Sequence, residues 1–106
     1  MTTVEIKRTG KQITSFTVCG HTGYGEAGED IVCASVSSVV WSTVNGLAEI
    51  AALPVEYESR DGFVSCNIPP LSETEREKAD LLLESMVAFL ETLSGQYREF
   101  VKVMEV

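Results

Sequence analysis

VEYESRDGFVSCNIPPLSETEREKADLLLESMVAFLETLSG, residues 55–95, carries most of the fold in one reading. Val55 to Ser59 and Phe63 to Ile68 are short segments of alternating polarity on either side of Asp61-Gly62, a strong hairpin turn. Pro69-Pro70 closes that unit. Ser72 and Glu75 then form a capping box, in which each side chain bonds the other's backbone amide. The helix behind it repeats apolar residues at helical spacing and buries Ala79, Leu82, Leu83, Met86, Leu90 and Leu93, with Gly95 as its stop. Two strands followed by a helix are therefore predicted here.

The same logic extends in both directions. Upstream, Pro54 ends a helix that should run from Ile31 to Ala52, with Asp30 as its N-cap. Ser35, Ser38, Ser42, Asn45 and Glu49 form its polar face, and Val36, Val39, Val40, Leu47 and Ala51 its core face. Earlier still, Thr2 to Arg8 and Ile13 to Cys19 read as a hairpin about the Thr9-Gly10-Lys11 turn. Downstream, Tyr97 to Val106 reads as a last strand. The order ββαββαβ predicts an α+β fold, a single domain over residues 1–106 with two helices packed on one largely antiparallel sheet.

Bulk properties exclude several functions. The chain has 106 residues, 44% of them apolar, which suits one core and not two domains. Sixteen acidic against eight basic residues give a net charge of -8, which argues against direct nucleic-acid binding and favours basic partners. So small a domain gains stability from a second copy. No apolar run marks a signal peptide or a membrane-spanning helix, so the expectation is a cytoplasmic protein with no membrane partner. Three cysteines (Cys19, Cys33, Cys66) and one histidine make neither a disulfide framework nor a structural zinc site, so no metal and no cofactor is expected.

Chemistry concentrates in GHTGYGEAGEDIVCASVS, residues 20–37. It holds the only histidine, His21, together with Cys33 and a loop with Gly20, Gly23, Gly25 and Gly28. Each glycine raises the entropy cost of folding by roughly 0.5–1 kcal/mol relative to alanine. Such a loop points to tight turns, close approach to a ligand, or motion. Cys33, three residues after an Asp30 cap, would sit where helix amides and dipole favour a thiolate. His21 is the available proton partner, and free amides of the helix start or of the glycine loop could hold an oxyanion. Ser37, one turn on, could orient the histidine or bond the thiolate, or bond the preceding helical turn. Asp30 could hold His21 or serve only as a cap. Against catalysis stands the ordinary reading of a lone cysteine as a small buried hydrophobe. Cys66, in register with Val64 and Ile68, and Cys19, at a strand end, read as structural.

The same segment resembles the family of ribosomal-processing cysteine proteases known as Prp, or YsxB-like. The resemblance lies in Gly20-His21, the loop to Gly28, Asp30-Ile31-Val32-Cys33-Ala34 and Val36-Ser37, and chain length and element order agree with it. It implies a homodimeric endopeptidase that removes a short N-terminal extension from a large-subunit ribosomal protein, cutting after aromatic residues. It maps the nucleophile onto Cys33 and the general acid/base onto His21, and it includes the positions of Asp30 and Ser37. The loop with Gly20, Gly23, Tyr24, Gly25 and Gly28 would close over the peptide. Tyr24, Trp41 and Val36 are candidates for an apolar pocket. An acidic enzyme suits a basic ribosomal protein substrate.

Two rivals compete. One is a non-catalytic acidic dimeric module that binds ribosomal proteins or assembly factors. The other is a thiol sensor pairing Cys33 with Cys19, which needs their Cα atoms within about 7 Å.

Overall fold

The computed structural model describes residues 1–20 and 27–106, without the side chains of residues 27–30. The chain runs β1 (Thr2–Thr9), β2 (Gln12–Cys19), α1 (Ala27–Asn45), β3 (Glu56–Arg60), β4 (Phe63–Asn67), α2 (Glu73–Gln96) and β5 (Val101–Glu105). This is the expected ββαββαβ order. One sheet holds all five strands in the order β3-β4-β2-β1-β5. Its pairs are antiparallel except β1 with β5, which run parallel, and the two helices pack on it. The largely antiparallel α+β architecture is thus as read from the sequence.

Alternation puts Thr2, Val4 and Ile6 of β1 in the interior. In β2 the buried residues are Ile13 and Phe16, three apart where a regular strand would space them by two. A bulge reconciles them. The β1–β2 register slips between Lys7, paired with Ser15, and Arg8, paired with Ile13. The extra residue, Thr14, restores Ile13 to the core face.

Helix α1 lays a stripe of Val32, Val36, Val40 and Val44, continued just beyond its end by Leu47, into the same core cluster as Val4, Ile6 and Phe16. Each such side chain contributes about 1.5–3 kcal/mol on burial. From α2 come Ala79, Leu83, Met86, Leu90 and Leu93. The two helices meet closely at Gly46, where a methyl group would stand 3.2 Å from Leu82 Cδ2. Cys66 is fully buried, and burial pushes its thiol up to about 11, as befits a core residue.

Several boundaries differ from expectation. Helix α1 begins at Ala27, so Asp30 lies inside the helix and is not its cap. Ala27 and Glu29 are strong helix formers, and acidic residues in a first turn suit the helix dipole. Gly28, expected in the loop, falls in that first turn. At its far end α1 passes into a single π-helical turn, Gly46–Ile50, with the Ala51 amide donating to the Gly46 carbonyl at 2.8 Å. The chain then reverses at Ala52, whose φ of 53° is left-handed. Gly95 does not stop α2, which continues to Gln96 and is closed by the Tyr97 amide on the Leu93 carbonyl, 2.9 Å. The last strand is shorter than Tyr97 to Val106, because β1 offers partners only from Thr2↔Val101 to Ile6↔Glu105.

The capping box of α2 forms as expected: the Glu75 amide donates to Ser72 Oγ and the Ser72 amide to Glu75 Oε1. One turn on, the largely buried Arg76 ties α2 to the sheet. It donates to the Ile13 carbonyl at 2.6 Å and to Asp80 at 2.8 Å. Arg8 grips Glu84 of α2 through two bonds, 2.6 and 2.9 Å, and also reaches Glu105 of β5.

The Arg8 hydrogen bonds hold the Glu84 carboxyl below its ordinary 4.5. A depressed carboxylate stabilises the fold above its unfolded value, and that contribution disappears as pH falls through the folded value. Glu84→Gln should therefore lower the thermal midpoint at pH 7 and leave it nearly unchanged at pH 3. Equal losses at both pH values, measured by circular dichroism melts, would show that the ion pair contributes nothing.

Candidate active site

Cys33 lies on the inner side of α1, over the start of β1. Its thiol is 4% exposed and stands 3.3 Å from the hydroxyl of Thr2, itself 2% exposed. Thr2 is held in turn: its amide donates to the Phe100 carbonyl at 2.8 Å, just before β5. No local signal points to Thr2, because 31 positions separate it from Cys33 and a threonine in a strand is unremarked.

Gly20 ends the hairpin against the same residue. Its φ is +100°, a left-handed value that favours glycine. A methyl group there would collide with the Met1 carbonyl oxygen and lie 3.6 Å from the Thr2 Cα. The Gly20 amide also reaches the Gly62 carbonyl, 3.3 Å. The chain thus leaves the sheet at a point fixed against Met1 and Thr2, and the next residue in sequence is His21. His21, Gly23, Tyr24 and Gly25 lie outside the described residues, as does the side chain of Asp30. Asp30 precedes Cys33 by three positions in the same helix.

Cys33 is the seventh residue of α1, not the third. The helix dipole acts within the first turn, and the first four amides are the unpartnered ones. The opening amides of α1 thus lie more than a turn before Cys33, and those of the glycine loop, the other donors expected for an oxyanion, fall largely outside the described residues. Hydroxyl chemistry from Thr2 stands at the thiol instead.

Ser37 is exposed and does not bond Cys33. It opens onto a cleft of about 250 Å³ between α1 and the β3–β4 turn, shared with Val18, Trp41, Arg60 and Phe63. Trp41 packs edge-on against Tyr57, centroids 6.1 Å apart, and Arg60 lies 4.2 Å over the Phe63 ring. Of the apolar residues expected to line a pocket, Trp41 does so, whereas Val36 is sealed in the core. A larger groove of about 1000 Å³ runs between α1 and α2 along Ser42, Gly46, Ile50 and Leu81, and neither Cys33 nor another cysteine lines it.

Cys19 pairs with Thr3, whereas Cys33 bonds Thr2. Neighbouring strand residues face opposite sides, so Cys19 and Cys33 lie on opposite faces of the sheet. The register removes the proposed Cys19–Cys33 thiol pair.

Comparison with known proteins gives a consistent picture. A family model described as "Cysteine protease Prp" matches residues 1–102. The ribosomal processing cysteine protease Prp of Bacillus subtilis is 34% identical over 96 residues, covering 88% of this chain and 86% of that protein. The crystal structure of an essential ribosomal processing protease Prp from S. aureus, in complex with a substrate peptide, superposes with a TM-score of 0.87 at 27% identity, covering both chains completely. A second structure of the S. aureus protease carries a covalently linked product peptide and gives a TM-score of 0.84 at 28% identity over the whole of both chains.

Gly20→Ala should destabilise the fold by about 1–3 kcal/mol from the left-handed backbone alone, with the carbonyl collision adding to it. A urea midpoint unchanged from that of the parent chain would contradict the close approach described for Gly20.

Proposed function

This chain belongs to the cysteine protease Prp family and is a cysteine protease, and from that premise we propose that it removes a short N-terminal extension from a large-subunit ribosomal protein. The observation that carries the assignment of residues is the meeting of Cys33, Thr2 and Gly20. The thiol bonds Thr2, and the residue that precedes His21 packs on the same Thr2. This supports Cys33 as the nucleophile and His21 as the general acid/base.

The reaction uses no cofactor. The Cys33 thiolate attacks the scissile carbonyl carbon, the C–N bond breaks, and the His21 imidazolium gives its proton to the leaving amine. Water then attacks the thioester, His21 takes its proton, and the Cys33 sulfur departs. The covalently linked product peptide in the S. aureus relative supports a covalent route of this kind. Since the thiol is 4% exposed, a peptide carbonyl reaches it only after the side chain or its covering atoms shift. We assign Gly20, Gly23, Tyr24, Gly25 and Gly28 to binding of the peptide.

Within this reading Asp30 and Ser37 are supporting residues. Ser37, Trp41 and Phe63 offer a cleft one helical turn from Cys33, suited to an aromatic side chain near the cut. The net charge of -8 suits a basic ribosomal protein as substrate. We assign the activity to the cytoplasm and to a homodimer, which sedimentation at micromolar concentration tests directly.

The deciding experiment incubates the protein with the extended ribosomal protein of its own organism and weighs the products. The parent chain should release the extension. Cys33→Ala should lose about 10³-fold or more in rate and still bind the substrate, and His21→Ala should lose about 10²–10⁴-fold. Full cleavage by Cys33→Ala would end the proposal.

A further inference from the structure

Thr2 is a buried hydroxyl 3.3 Å from the sulfur of Cys33. It belongs to no part of the Gly20–Ser37 motif, and it comes from a different element, the first residue of β1. Three constraints fix it there: its amide bond to Phe100, its pairing with Val101, and the packing of Gly20 against its backbone. A hydroxyl held this firmly is a preorganised partner and not a passing contact.

Either atom can donate while Cys33 is a neutral thiol. A thiolate has no proton, so the hydroxyl alone can then donate. A hydrogen bond to the charged form favours that form. We propose that Thr2 is a positioning residue for the nucleophile: its hydroxyl fixes the Cys33 side chain and donates to the thiolate. This rests on the assignment of Cys33 as nucleophile. It also supplies a local stabiliser for the anion, seven residues into a helix where the dipole no longer does so.

Thr2→Val keeps the shape of the side chain and removes the hydroxyl, whereas Thr2→Ser keeps the hydroxyl. The readout is the rate of iodoacetamide labelling at Cys33 across pH, located by peptide mass mapping to separate it from Cys19 and Cys66. Thr2→Val should shift the rate profile to higher pH and slow labelling at neutral pH by about tenfold, the scale of one lost hydrogen bond to a charged group. Thr2→Ser should restore the parent profile. Should the valine variant not fold, Thr2→Ala against Thr2→Ser isolates the hydroxyl in the same way. A labelling profile that is unchanged in Thr2→Val, or faster at neutral pH, overturns the proposal. Labelling reads the sulfur itself. Failure of Cys33→Ala to stop cleavage would therefore refute the nucleophile assignment separately, whatever the labelling shows.

Discussion

The seating of α1 on the sheet is the contact on which the site depends. Val32, Val36, Val40, Val44 and Leu47 form one stripe, and they meet Val4, Ile6 and Phe16 in a continuous core. A stripe with four-residue spacing permits one rotation of the helix about its axis. Cys33 follows Val32, so the same rotation turns its thiol inward, onto Thr2. Slipping the helix by one position would bury Ala34 in place of Cys33. The Cys33 sulfur is thus placed by hydrophobic packing, and its polar partner comes from the sheet beneath.

That arrangement explains why the sulfur differs from the other two. Cys66 sits at the same depth among Val64, Ile68 and Phe16, and desolvation alone acts on it, raising its thiol to about 11. Cys19 lies on the opposite face, beside Thr3. Only Cys33 has a hydroxyl within bonding distance among the described residues. Three cysteines in one small chain therefore meet three environments, and sheet register separates them.

Local signals in the sequence were strong where the chemistry was local. The Ser72–Glu75 box, the Asp61-Gly62 turn and the apolar spacing of α2 each depend on neighbours within four residues, and each is present. The helix start was misread at Asp30 because a cap and an acidic residue inside a first turn have the same composition, and only the phase of the helix distinguishes them. The bulge at Thr14 hid the alternation of β2. The glycine cluster was conspicuous, but the reason Gly20 must be glycine lies in Met1, nineteen positions away. Thr2 was invisible for the same reason: its role comes from a helix far along the chain. His21 and Cys33 stand out in the sequence by residue type, while the support beneath Cys33 does not.

Strand β5 lies beside β1 in parallel, and Phe100 just ahead of it receives the amide of Thr2. The first and last strands of the sheet in chain order are therefore neighbours beside Cys33. A chain folded from β1 through α2 alone lacks the carbonyl that anchors Thr2. The surroundings of the Cys33 sulfur are complete only when Phe100 and β5 have joined the sheet, so strands distant in sequence must meet before the contact with Thr2 is set.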